Sequence, residues 1–292
     1  MFAGILSIVL VIATVPTSIH ASGNETAQIN STKALNAALI NCKSEKDGEE
    51  LLCSTNKEIV AKALDQENKK DIEIIEQVNR IKNNSDTEEE LNSSLAKYNN
   101  QSKDIISINS DITYDKNTDI AITKIMVSTS DKTKIICEDI DEPYNNSVAD
   151  ILSGDSFINS ITHYYNKGFG ERQFTSLNII NRHAYPDEEY QLRMNYKLYS
   201  DKTISGTDIK ALNYTAGNYA SSIETSATDE TWCVKSNNRR YVSAHGYFTT
   251  RYSILGTWTS TKHYKIYSRV TPKEWYKKSA RVEQYSSLFD LD

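Results

Sequence analysis

From Lys33 to about Asp104 the apolar positions recur at helical spacing. Ala34, Leu35, Ala38, Leu39 and Ile40 open a short helix, and Leu51 and Leu52 begin another turn before Cys53. Thr55-Asn56-Lys57-Glu58 has the form of a capping box, in which a hydroxyl accepts from the first-turn amides and a carboxylate reaches back. Behind it Ile59, Val60, Ala63, Leu64, Ile72, Ile75, Val78 and Ile81 make one stripe at spacings of three and four. The stripe predicts a helix of about 27 residues, near 40 Å at 1.5 Å per residue. Ser85-Asp86-Thr87-Glu88 is a second capping-box sequence, followed by Leu91, Leu95 and Tyr98. The a/d repeat is not sustained over four heptads, which argues against a coiled coil.

After Ile105 the period changes to two. Ile106, Ile108 and Ile112 lead into Asp119–Val127 and then Lys134–Cys137, successive strands joined by polar turns. Ser147–Tyr165 fits either a helix or short strands. Tyr190–Tyr199 alternates well, as does Tyr241–Ile254, and the pattern restarts at His263–Tyr267. Thr271-Pro272-Lys273-Glu274 combines a cap, a Pro at the first helical position and a capping Glu, which predicts a terminal helix to about Tyr285. The expected class is α+β. An N-terminal helical hairpin or bundle over 22–104 precedes a mostly antiparallel β-rich region over 105–292, with a C-terminal helix.

Composition sharpens the division. The chain of 292 residues carries a formal charge of −6, but the charge is segregated. Residues 22–107 hold 11 Lys/Arg against 16 Asp/Glu, a net of −5. Residues 234–292 hold 11 against four, a net of +7. Of the 18 Tyr only Tyr98 precedes residue 107. The overall acidity argues against a general nucleic-acid binder, so no stable nucleic-acid partner is expected.

Met1–Ala21 has no charged side chain, and Ile5–Val15 is an apolar run of about ten residues with Ala21 at a cleavage position. That run is shorter than the roughly 20 residues a bilayer requires. The reading is a signal peptide over 1–21, then a secreted mature chain with no transmembrane segment. Asn-x-Ser/Thr sequons begin at Asn24, Asn30, Asn83, Asn92, Asn100, Asn145 and Asn213, a number close to chance for this composition. Cys42, Cys53, Cys137 and Cys233 are even in number and show no metal spacing. Three pairings are open. Cys42–Cys53 with Cys137–Cys233 is the simplest, with loop-closure contributions of about 2–3 and about 4 kcal/mol. No cofactor is implied.

The basic C-terminal stretch interleaves cations with rings: Arg251, Trp258, Lys262, Tyr264, Lys265, Tyr267, Lys277 and Lys278 are the candidate binding residues. Rings offer stacking faces and cations meet phosphate or carboxylate. An ordinary half-buried sheet produces the same pattern, and a membrane-inserting Ser/Thr-rich hairpin over Val242–Lys262 is disfavoured by Arg251 and Lys262. His163, His183, His245 and His263 are the candidates for acid–base work, and His183 is followed by Asp187, Glu188 and Glu189. Gly154-Asp155-Ser156 lacks the partners of an esterase, and Gly168-Phe169-Gly170 lacks the third glycine of a nucleotide loop. Asn237-Asn238-Arg239-Arg240 is a candidate processing site, and a cut there is expected to free Tyr241–Asp292.

Signal peptide, Asn/Ser/Lys/Tyr-rich composition, paired cysteines and dibasic site together resemble a secreted yeast killer-toxin precursor. The resemblance is one of organisation and carries no functional residue across. It implies a toxin that binds the wall of competitor cells and kills them. The hydrophobic helix common in membrane-permeabilising subunits is missing, which favours wall binding or an internal target. The expected partner is therefore a target-cell wall glycan or an anionic membrane surface. The rivals are a non-toxic wall-binding or adhesin-like module, and a secreted hydrolase using His183 or His245.

Overall fold

The computed structural model describes residues 29–115, 117–144, 166–183, 185–216, 223–236, 239–254 and 257–292. The signal-peptide region, Ala21, Asn24, Asn145 and the Ser147–Tyr165 stretch lie outside the described residues.

Among the described residues four helices come first: α1 (Thr32–Ile40), α2 (Glu45–Ser54), α3 (Lys57–Asn83) and α4 (Glu88–Gln101). The long apolar stripe forms α3 over 27 residues. Its caps differ from the expected boxes. Asn56 caps α3 by accepting from the Glu58 amide, while Thr55 turns back to donate to Leu51 O at the end of α2. Thr87 caps α4 through the Glu90 amide. The capping box that does form is Ser44 with Asp47, at the start of α2.

Eleven strands follow among the described residues, all paired antiparallel: β1 (Ile105–Asp115), β2 (Ile120–Thr129), β3 (Lys134–Pro143), β4 (Asn166–Gly168), β5 (Gly170–Asn181), β6 (Asp187–Leu198), β7 (Ile204–Ala216), β8 (Ile223–Ser236), β9 (Arg239–Ile254), β10 (Thr257–Trp275) and β11 (Ser279–Asp290). They make a six-stranded sheet in the order β1-β2-β3-β5-β6-β7 and a five-stranded sheet in the order β4-β11-β10-β9-β8. The class is α+β with mostly antiparallel sheets.

The terminal helix expected at Thr271–Tyr285 does not form. Thr271–Trp275 is the end of β10, and β11 pairs with it from Ala280 to Asp290. The cap-like Thr271-Pro272 loses to a stronger signal beyond it: Ala280, Val282, Gln284, Ser286 and Leu288 alternate with polar and aromatic residues and are all buried. Pro272 has no amide to give a ladder, and the register shifts beside it, between Pro272 and Glu274.

The sheets pack on each other through inward residues of β6 and β9. A Cβ on Gly246 of β9 would come within 3.1 Å of both Leu192 Cδ1 and Ala211 Cβ. Such contacts are tighter than most a real Cβ makes, so glycine lets the sheets approach here without displacing Leu192 or Ala211. Ile72, Val78, Leu91 and Leu95 of the helices belong to the same core as Ile125, Ile135, Phe174, Leu192, Phe248 and Ile266 of the sheets. The helical segment is thus built into the β region. A smaller cluster joins Leu35 and Leu39 of α1 to Val60 and Leu64 of α3, with Tyr185 and Tyr252.

Helix α3 lies along β11, where β4 pairs only at Ser279–Arg281. Asn83 Nδ2 donates to Ser286 O at 2.8 Å, and the Asp290 amide donates to Glu76 Oε1 at 3.4 Å. The helix therefore satisfies backbone groups that an open sheet edge would expose.

Candidate ligand-binding face

The alternation of β9, β10 and β11 sorts the C-terminal residues onto two faces. Inward go Val242, Ala244, Phe248, Tyr252, Tyr264, Ile266 and Val270, all buried. Outward on β10 go Lys265, Tyr267 and Arg269. The register places Tyr247 and Phe289 beside Lys265, His245 and Ser287 beside Tyr267, and Ser243 and Tyr285 beside Arg269.

These outward side chains touch. The His245 and Tyr267 rings meet edge-on with centroids 5.0 Å apart, and Tyr267 and Tyr285 lie 5.8 Å apart. Lys265 Nζ sits 5.3 Å from the Phe289 centroid, and Arg269 Cζ sits 5.6 Å from that of Tyr285. Glu283 is shared by Arg269, at 3.7 Å, and Lys273. The result is a partly exposed lattice of rings and cations across three strands. Burial raises the Tyr267 hydroxyl above the usual phenol range.

The candidate binding residues divide accordingly. Lys265 and Tyr267 lie in the lattice. Lys277 and Lys278 are exposed in the turn between β10 and β11, and Arg251 is exposed on β9. Tyr264 was expected on the binding surface but is 1% exposed and packs at 5.1 Å on Tyr190. Its even position puts it on the core side of the pleat. Lys262 has the same parity and bonds Asp65 of α3 at 2.5 Å, which outweighs its partial burial and raises its pKa. Trp258's side chain lies outside the described residues. Sequence reasoning missed Arg269, Tyr285 and Phe289. Expecting a helix over Tyr285 hid the partner strand, although the period-two pattern from Ala280 to Leu288 was there to read.

The acid–base candidates are differently placed. His183 Nε2 lies 3.1 Å from Cys42 O and lines a cleft of about 50 Å³ with Glu67 and Asp131. The acids that follow it serve Arg182: Asp187 accepts from the Arg182 amide at 2.7 Å, and Glu188 takes the guanidinium at 2.6 Å. His245 faces outward among rings. Among the described residues no group of three or more His, Cys, Asp and Glu could hold a metal ion.

Inside, charge is concentrated on two hubs. Asp141 of β3 accepts from Arg172 Nε at 2.7 Å and Tyr196 Oη at 2.6 Å, with Lys167 Nζ at 3.7 Å and Gln284 also bonded. Burial alone would raise the Asp141 carboxyl, but Arg172 and Lys167 beside it hold it below the ordinary range. Burial brings Lys167 down to about 8. Arg182 is held by Asp71 of α3 at 2.7 Å and by Glu188. Lys82 of α3 meets Asp139 at 2.6 Å. The Arg182–Asp71 and Lys82–Asp139 pairs tie α3 to the sheets.

Cys42, Cys53 and Cys137 are free thiols in this structure, in place of the two expected bridges. Cys42 Sγ turns back to Ala38 O at 3.5 Å, beyond the end of α1. Cys137 is buried in β3 of the six-stranded sheet, whereas Cys233 is on β8 of the other. The side chain of Cys233 is not among those described. Arg239 and Arg240 open β9, paired with Ser236 and Lys235. The segment beyond them supplies β10, β11 and most of β9. Of the sequons, Asn30, Asn92 and Asn100 are exposed, while Asn83 is held through its amide to Ser286 O and Asn213 is partly buried.

No helix among the described residues is long and apolar enough to cross a membrane. Comparison with known proteins finds no family model, no curated protein and no solved structure that matches this chain.

Proposed function

We propose that this chain is a secreted toxin or effector that engages a target-cell surface through the outer face of β9, β10 and β11. The observation that supports it is the lattice of Lys265, Tyr267, Arg269, Tyr285 and Phe289 with His245. Such a face offers stacking area and cationic donors together, the combination suited to wall glycan.

The test is to add purified mature protein to a panel of cells and score association, viability and dye uptake. Association with loss of viability supports the reading. Association without loss of viability reassigns the chain to the non-toxic wall-binding class, and no association overturns the surface role.

A further inference from the structure

Where α3 meets the rim of this face there is a groove of about 180 Å³. Its wall is helical: Glu76, Arg80 and Asn83, with Asn84 at the cap, recur at spacings of four and three and so share one side of α3. Its floor is the outward row of β11, Tyr285, Ser287 and Phe289. The small Ser287 stands between the two rings, and Lys265 and Arg269 of β10 sit 5.3 and 5.6 Å from the Phe289 and Tyr285 centroids.

We propose that this groove is a subsite for a single neutral saccharide ring. The assignment rests on the surface-binding reading and names the ligand chemistry of that same face. The volume is below the roughly 300–1,000 Å³ of drug-sized sites, and suits one small ring. Tyr285 and Phe289 present apolar area for the C–H face of a sugar. Around them stand groups of both hydrogen-bonding kinds. Arg80, exposed, donates. Asn83 is fixed by its own amide to Ser286 O, and the Glu76 carboxylate, which lines the groove, accepts. A sugar hydroxyl both donates and accepts, and so can serve Arg80 and Glu76 together.

A phosphate or sulfate group fits less well. The groove lies at the C-terminal end of α3, where the last carbonyls carry partial negative charge. Glu76 adds a full negative charge beside Arg80. An anion would meet acceptors on the helix wall, while a neutral polyol meets partners.

The experiment uses the full mature protein with methyl β-D-glucopyranoside, methyl α-D-mannopyranoside and N-acetyl-D-glucosamine, read by saturation-transfer NMR and calorimetry. Inorganic phosphate and sulfate form the anion arm. At least one saccharide should bind at a single site. Arg80→Ala, a change at an exposed position, should weaken it roughly tenfold. Tyr285→Ala should abolish transfer to the ring protons, with unchanged circular dichroism as the folding control. Absence of binding by all three saccharides, binding indifferent to both substitutions, or displacement by phosphate overturns the proposal. If cells still bind the protein while no saccharide does, the groove assignment alone fails. If saccharide binds and cells do not, the surface reading fails and the groove remains.

Discussion

Arg269 Cζ stands 5.6 Å above the ring of Tyr285, and Glu283 holds the same guanidinium at 3.7 Å. A cation over a partly exposed ring is worth about 0.5–1 kcal/mol, so the pair contributes little to stability. Its consequence is placement, since it fixes a positive charge and a ring side by side. Arg269→Glu with Lys265→Glu should therefore reduce surface association at least tenfold while shifting thermal unfolding by only a few degrees. Titration of labelled protein onto cells, beside a melting curve, checks both halves. Lys262→Glu is the control: it breaks the bond to Asp65 of α3 and should leave association unchanged.

The buried hub at Asp141 gives a graded prediction. Arg172→Met leaves Asp141 and Asp119 without their main cation and should cost about 3–5 kcal/mol. Lys167→Met leaves the Arg172 bonds in place and removes a cation whose charge burial already disfavours, so it should cost less. Urea denaturation of the two variants settles the order. Because the Asp141 pKa is depressed in the folded protein, its contribution is present above its unfolded value of about 3.9 and is lost as pH falls below that. Wild-type urea midpoints should drop between pH 4 and pH 2, and Asp141→Asn should flatten that slope.

Thiol chemistry separates the three described cysteines. Burial pushes the Cys137 thiol up to about 12, and it is wholly enclosed. Cys42 and Cys53 are only partly buried. Maleimide at pH 7.5 should label Cys42 and Cys53 in the native protein and reach Cys137 only in denaturant. A native protein in which neither Cys42 nor Cys53 reacts, and in which reductant restores both, would point to the Cys42–Cys53 bridge.

Cleavage after Arg240 should produce two pieces that stay together. Residues 241–292 supply Val242, Phe248, Tyr264, Ile266, Val270, Val282 and Leu288 to the common core. Protein nicked by a dibasic-specific protease should run as two bands in denaturing gels, yet elute as one species from a sizing column. Two separate native species would contradict this packing.

The helical half and the alternating half were legible in the sequence because period is set by one side of each element facing the core. Ile72, Ile75 and Val78 announce α3, and Tyr190, Leu192 and Met194 announce β6. The caps were less legible, since Thr55 and Asn56 both offer side-chain oxygens and only the approach of α2 decides between them. The C-terminal strand was misread because Thr-Pro-x-Glu is a local helix signal, whereas β11 is stabilised by pairing with β10. The candidate face was half visible. Cations and rings were evident in sequence, but Tyr264 and Tyr267 differ only in parity, and parity becomes a face only once the sheet has an inside. The partners Tyr285 and Phe289 required the register of β11 to be known.

The most direct measurement is association of the purified mature protein with target cells, compared between wild type and a Lys265→Glu, Arg269→Glu, Lys277→Glu, Lys278→Glu variant that melts normally. Saturable association by the wild type and its loss in the variant is the predicted result. Equal association by both proteins would contradict the assignment of the β9–β11 face.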